Sequence, residues 1–193
     1  RMLALYLLAG IAVCLYVYVL SLDGPESYYC RYDNQTHYNL ARHFLDTSDW
    51  SALHTGSGAV ADEAQTGYYP AAWHLLVALV ASATGIDMPI VMNALNAMLS
   101  GVTYPLSSFV LMHALFPARR DALFFGAFTS VGFACLPWVL LLKGQLLANL
   151  LSFSLTPAAI ALVIAYVHAG ARRHWKGLAL CSALSVGFFG VAH

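Results

Sequence analysis

The chain of 193 residues is 60% hydrophobic and 9% charged, against ~45–50% and ~25% in water-soluble globular chains, and its mean hydropathy is +0.69. A domain of this size cannot hide so much apolar surface from water, so lipid is the solvent for most of it. Nine basic and nine acidic residues give a formal net charge of zero, which excludes a phosphate-neutralising nucleic-acid surface. Cysteines at 14, 30, 135 and 181 have no CxxC spacing and support neither a disulfide framework nor a structural zinc site.

In chain order, apolar runs cover 2–22, 70–86, 89–116, 122–142, 149–169 and 177–193. The first is longer than a signal-peptide core and has no small-residue cleavage site before Asp23, so it reads as a membrane span. The polar stretch 23–69 carries Asp23, Glu26, Asp33, Asp46, Asp49, Asp62 and Glu63, while Asp87 and Asp121 are the only acids elsewhere. A chain that concentrates its ionisable groups in this way has one aqueous working face.

Run 70–86 is the short one. Seventeen residues at ~1.5 Å rise give ~25 Å, below the ~30 Å hydrocarbon core. If it stops short, five spans remain. With the N-terminus inside, Arg1, Arg119, Arg120, Arg172, Arg173 and Lys176 then face the cytoplasm, and Arg31, Arg42 and Lys143 face out, in keeping with the positive-inside tendency. If it crosses, the same tendency reverses the N-terminus and places the acidic loop inside. Length favours the first arrangement. The expectation is an all-α polytopic membrane protein of the plasma membrane, a single transmembrane domain over 1–193 truncated at its C-terminus. It has five spans, a surface helix at 34–46, a half-inserted helix at 70–86, and loop 23–69 on the extracytoplasmic side.

Within that loop, Asp33 and His37 stand four apart at the start of the predicted helix, stacked on one face. They suit a carboxylate base with an orienting imidazole, or two ligands of a divalent metal; Asp33 equally suits a helix N-cap. Leu40, Ala41, Phe44 and Leu45 make the helix's apolar side. Tyr69-Pro70-Ala71-Ala72-Trp73-His74 opens the next helix with interfacial aromatics and with an imidazole that needs a polar partner. That partner is a catalytic or phosphate group, a metal, or a backbone carbonyl. Asn93 and Asn96 read as amides bonding between helices, Ala97 and Gly101 as a close-packing surface, and Pro105 and Pro137 as kinks. Lys143 is one of three outer cations, suited to snorkelling or to a lipid phosphate. His193 reads as a ligand or a capped polar group.

One span, an acidic outer loop with a surface helix, a Tyr-Pro-initiated half-inserted helix, then spans alternating with Arg-rich inner loops: this order resembles the start of the GT-C superfamily of polytopic glycosyltransferases. Tyr32-Asp33 to His37 and Tyr69 to His74 are most similar to a functionally uncharacterised actinobacterial integral-membrane family. The resemblance implies a GT-C-like bundle and transfer of a sugar from a polyprenyl-phosphate donor to an envelope glycan or lipid acceptor at the outer face. In that superfamily an acidic residue of the first outer loop activates the acceptor or binds metal, and Asp33 matches it by position. His37 and His74 would orient the acceptor or stabilise the leaving phosphate, and Arg31, Arg42, Lys143, Tyr69, Trp73 and His193 would line the substrates. Stretch 143–149 lacks the second-loop carboxylate of metal-dependent members, so a metal-free reaction is implied. Rival classes are a transporter or lipid flippase, disfavoured by spans without mid-depth ionisable residues, and a non-catalytic envelope-assembly protein.

Overall fold

The structure, a computed structural model, describes residues 1–28, 33–53, 55, 69–143, 146–171 and 175–192. Every regular element among them is helical. In order these are α1 (Met2–Val17, prolonged by a tighter turn over Val19–Ser21), α2 (Asn34–Thr47), α3 (Ala72–Thr84), α4 (Met88–Met98), a π-helical turn (Leu99–Thr103), α5 (Tyr104–Leu115) and α6 (Arg120–Gly132). A second π turn (Cys135–Val139), α7 (Leu140–Leu142), α8 (Leu147–Ala171) and α9 (Trp175–Ala192) follow.

Four helical stretches are long and apolar enough to cross a membrane: Met2–Ser21, Met88–Leu115, Arg120–Leu142 and Leu147–Gly170. Their outer faces are apolar, with Leu8 66% and Phe125 66% exposed, as befits helices solvated by hydrocarbon. α3 has 13 residues, about 20 Å at ~1.5 Å rise, and is shorter than its apolar run because Pro70 lies before the helix and Gly85, in the left-handed region at φ 68°, ends it. α2 keeps the predicted limits to within a residue.

α1 buries one stripe, Tyr6, Gly10, Cys14 and Tyr18, at the four-residue spacing that stacks side chains on one helix face. It packs on α5, α6 and the first π turn. The contact is close because it is made of small residues. A Cβ on Gly10 would fall 2.6 Å from the Gly101 carbonyl oxygen and would collide with the Pro105 ring, and a Cβ on Gly101 would meet Cys14 Cβ at 2.9 Å. Cys14 Sγ donates to the Ala97 carbonyl at 3.5 Å.

The prolines leave backbone groups that neighbours take up. Pro105 has no N–H for the Gly101 carbonyl four residues back, and the helix widens into a π turn over that stretch. The predicted kink near Pro137 is a full interruption: α6 ends at Gly132, Phe133 is extended, and Leu136 has φ −129°, ψ 131°. The Trp138 indole N–H then donates to the Val131 carbonyl at 2.9 Å, an oxygen the break would otherwise orphan. In α8, Pro157 disturbs the ladder, and the Ala158 N–H donates across to Ser107 Oγ of α5 at 2.8 Å. In hydrocarbon such repair is what lets proline persist in a helix.

Gly10→Ala is expected to force α1 away from the Gly101–Pro105 turn and to cost about 1–3 kcal/mol. Thermal unfolding in detergent, followed by intrinsic fluorescence, measures the loss.

Candidate functional site

α1 ends, and α4 and α8 begin, at one end of the bundle, and polar side chains join them there. The Tyr18 hydroxyl donates to Asn93 Oδ1 at 2.8 Å, while Asn93 Nδ2 donates to the Pro25 and Ser27 carbonyls at 2.9 Å each. The amide thus ties the loop after α1 to the first turns of α4. One turn on, Asn96 is buried and its Oδ1 accepts from the Trp73 indole at 3.2 Å. The two amides predicted to bond between helices therefore do so, each to a different segment.

α2 lies against α3 through Leu40, Phe44, Ala71 and Ala78. Its buried positions are Asn34, His37, Leu40, Ala41 and Phe44, so His37 lies on the apolar stripe and is carried inward with it. There its Nδ1 stands 2.7 Å from His74 Nε2, while its Nε2 accepts from the Leu147 backbone N–H at 3.4 Å. With the Leu147 N–H as donor to His37 Nε2, the matching arrangement places the His37 proton on Nδ1, donated to His74 Nε2. His74 Nδ1 is buried without a hydrogen-bond partner among the described residues.

His74 is wholly buried. Burial first, and the neighbouring His37 second, hold its pKa down to about 3, against the weaker opposing pull of the Ala71 carbonyl. Both effects favour the neutral ring. Trp73 is also fully buried and stands T-shaped to both imidazoles, at ring-centre distances of 5.7 and 5.2 Å. A pocket of about 230 Å³ opens beside the pair, lined by Asp33, Thr36, His37, Tyr69, Leu146, Ala148 and Asn149.

Asp33 holds the N-cap position of α2 but does not cap it with its carboxylate. Its φ −79°, ψ −4° is already helical, unlike the extended backbone that turns a capping side chain toward the free N–H groups. The backbone carbonyl of Asp33 instead accepts from the His37 N–H at 2.9 Å. The carboxylate is left exposed at the pocket. Across from it, burial and the Asp33 charge raise the Tyr69 phenol pKa, so that side chain is a neutral hydroxyl.

Of the residues singled out in the sequence, Asp33, His37 and Tyr69 line the pocket, with His74 and Trp73 packed behind. Arg42 is on the exposed side of α2 in an ion pair with Asp46 at 3.0 Å. Lys143 is exposed beyond α7 and outside the pocket lining. Arg31 and His193 lie outside the described residues. Sequence reading missed Thr36 and the backbone of 146–148. Thr36 had a signal, lying inside the Asp33–His37 motif; a backbone amide has none. Among the described residues no group of three or more His, Cys, Asp or Glu is placed to hold a metal ion. A cation bound between the two imidazoles would also have to break their mutual bond.

Trp73→Phe is expected to leave the Asn96 amide buried and short of a partner, costing about 1–3 kcal/mol. The double variant with Asn96→Leu should recover part of that loss, as read by thermal unfolding in detergent.

No curated protein and no solved structure matches the chain. By a match that runs over residues 1–193, the chain belongs to DUF6541, a family of unknown function.

Proposed function

We propose that the chain is the membrane-embedded part of a glycosyltransferase that moves a sugar from a polyprenyl-phosphate donor to a hydroxyl of an envelope acceptor, at the outer face of the plasma membrane. In this reading α2 lies on the membrane surface, α3 dips in without crossing, and α9 is a fifth span. The pocket then sits where lipid-linked substrate meets water.

The observation that carries the proposal is the Asp33 carboxylate, released from capping and exposed at a pocket whose other polar side chains are Thr36, His37, Tyr69 and Asn149. A carboxylate so placed accepts the proton of the acceptor hydroxyl as its oxygen attacks the anomeric carbon. The bond from that carbon to the phosphate oxygen breaks, and polyprenyl phosphate leaves with the electron pair. The first turn of α8 borders the same pocket through Ala148 and Asn149, and a helix N-terminus favours an anion. Lys143, exposed just ahead of α8 though outside the pocket lining, adds positive charge at this end. His37 and His74 are positioning residues in this scheme, since they hold the start of α8 against α2.

Asp33→Asn should lower transfer by at least about 100-fold while leaving protein level and unfolding temperature unchanged. The assay is conversion of radiolabelled polyprenyl-phosphate sugars by purified full-length protein. Normal turnover by the variant would remove Asp33 from the reaction, and no turnover of any such donor by the wild type would remove the reaction itself. Membrane-impermeant maleimide should label Cys30 in intact cells, and a Cys30→Ser control should not react. Labelling of Cys30 only after lysis would reverse the topology.

A further inference from the structure

Toward the end of the bundle opposite the candidate pocket, α5, α8 and α9 enclose an apolar groove of about 470 Å³. Val110 and His113 of α5, Leu184 of α9 and the face of α8 from Ala158 to Ala165 line it. The Ala158 N–H donates to Ser107 Oγ, which sets those two residues level, and α5 and α8 run the same way from there. At ~1.5 Å per residue, His113 and Ala165 both lie about 10 Å nearer the helix ends. Four alanines (158, 159, 161 and 165) hollow the α8 wall. Val110 and Leu184 stand 47% and 53% exposed, so the groove opens on the apolar outer surface of the spans.

One polar side chain enters it. The His113 imidazole lies in the last turn of α5, 5.8 Å from the Phe109 ring between centres, and makes no hydrogen bond among the described residues. An imidazole at the edge of hydrocarbon needs a polar partner. The surroundings of this helix end are basic. Every acid of the chain except Asp121 lies within 23–69 or at Asp87, ahead of α4, and Asp121 is engaged by Arg119 at 2.6 Å. Arg120, which opens α6, and Lys176, in the first turn of α9, are exposed and have no acidic partner among the described residues. The link from α8 to α9 reads Arg172-Arg173-His174. It lies outside the described residues, and its composition adds basic residues and no acid.

We infer that the groove holds one anionic phospholipid, with its acyl chain against the alanines of α8 and its phosphate at His113, in the field of Arg120 and Lys176. Any acyl chain fills the alanine wall; the phosphate makes the site selective, since cations beside a membrane surface attract anionic headgroups. A helix is too thick an occupant. It measures about 10–12 Å across, so a 10 Å length takes roughly twice the volume of the groove.

This site does not depend on glycosyl transfer, and its test uses the full chain without substrate. Nanodiscs of phosphatidylcholine carry a trace of either phosphatidylglycerol or phosphatidylcholine bearing a diazirine in the acyl chain, and adducts are mapped by mass spectrometry after illumination. In the wild type, phosphatidylglycerol should label 158–165 about fivefold more than phosphatidylcholine does, relative to the exposed face of α1 at Leu8 and Tyr16. Ala165→Phe fills the groove from an exposed position and should remove most of that labelling while leaving α1 unchanged. Arg120→Gln/Lys176→Gln should bring the two lipids level. Equal labelling by the two lipids in the wild type, adducts no denser at the groove than on α1, labelling undiminished by Ala165→Phe, or a preference kept by the charge variant overturns the site. Cross-links between two copies through 158–165 in place of lipid adducts overturn it too, since a second copy is then the occupant.

Discussion

A buried amide or imidazole in a membrane protein has no water to fall back on, so a polar side chain enters the bundle only where another segment supplies its partner. One end of this chain is organised by that constraint. Asn93 holds the loop after α1, Asn96 holds Trp73 at the start of α3, and His37 holds both His74 and the first amide of α8. Each bond contributes only about 1 kcal/mol net, but stranding a partner costs more. The specificity of this end therefore rests on what an alternative arrangement would leave unpaired.

The bundle beneath uses other means. α1 approaches the first π turn through Gly10 and Gly101, while Ser107 and Trp138 each satisfy a backbone group across or along a disturbed helix. The first is close packing of small residues, and the other two are hydrogen bonds that repair an interrupted ladder. The pocket sits on helix starts rather than on loop tips. Its walls are consequently held by the same bonds that close the end of the bundle, and the freedom of the Asp33 carboxylate follows from a backbone that is already helical at that residue.

Much of the helix layout is legible in the sequence, because apolar runs and their interruptions are statements about single segments. The limits of α2, the short length of α3 and the bonding of Asn93 and Asn96 follow from spacing alone. The meeting of His37 with His74 does not, since 37 residues separate them and their pairing is a property of how α2 lies on α3. The stripe of α2 did hold a clue: His37 precedes Leu40 by three and Phe44 by seven, which places the imidazole on the buried side. The carboxylate of Asp33 was open to two readings because residue type marks a cap position but not the backbone angles that make capping happen. The role of Leu147 was invisible, since any residue there offers the same N–H. The repair of α8 by Ser107 likewise depends on a neighbouring helix.

The small-residue seam between α1 and the first π turn has a consequence for biogenesis. Synthesis runs from the N-terminus, so α1 is made some eighty residues before the span it will rest upon, and until that span arrives its contact face meets acyl chains instead. Its future contact face, Tyr6, Gly10, Cys14 and Tyr18, holds no group that ionises near neutral pH and no side-chain amide, and Met2–Ser21 has a hydropathy of 2.4. The amides that later fasten this corner are both carried by the late-arriving partner. The waiting helix thereby remains at ease in lipid, and polarity enters the membrane only together with the segment it will bind.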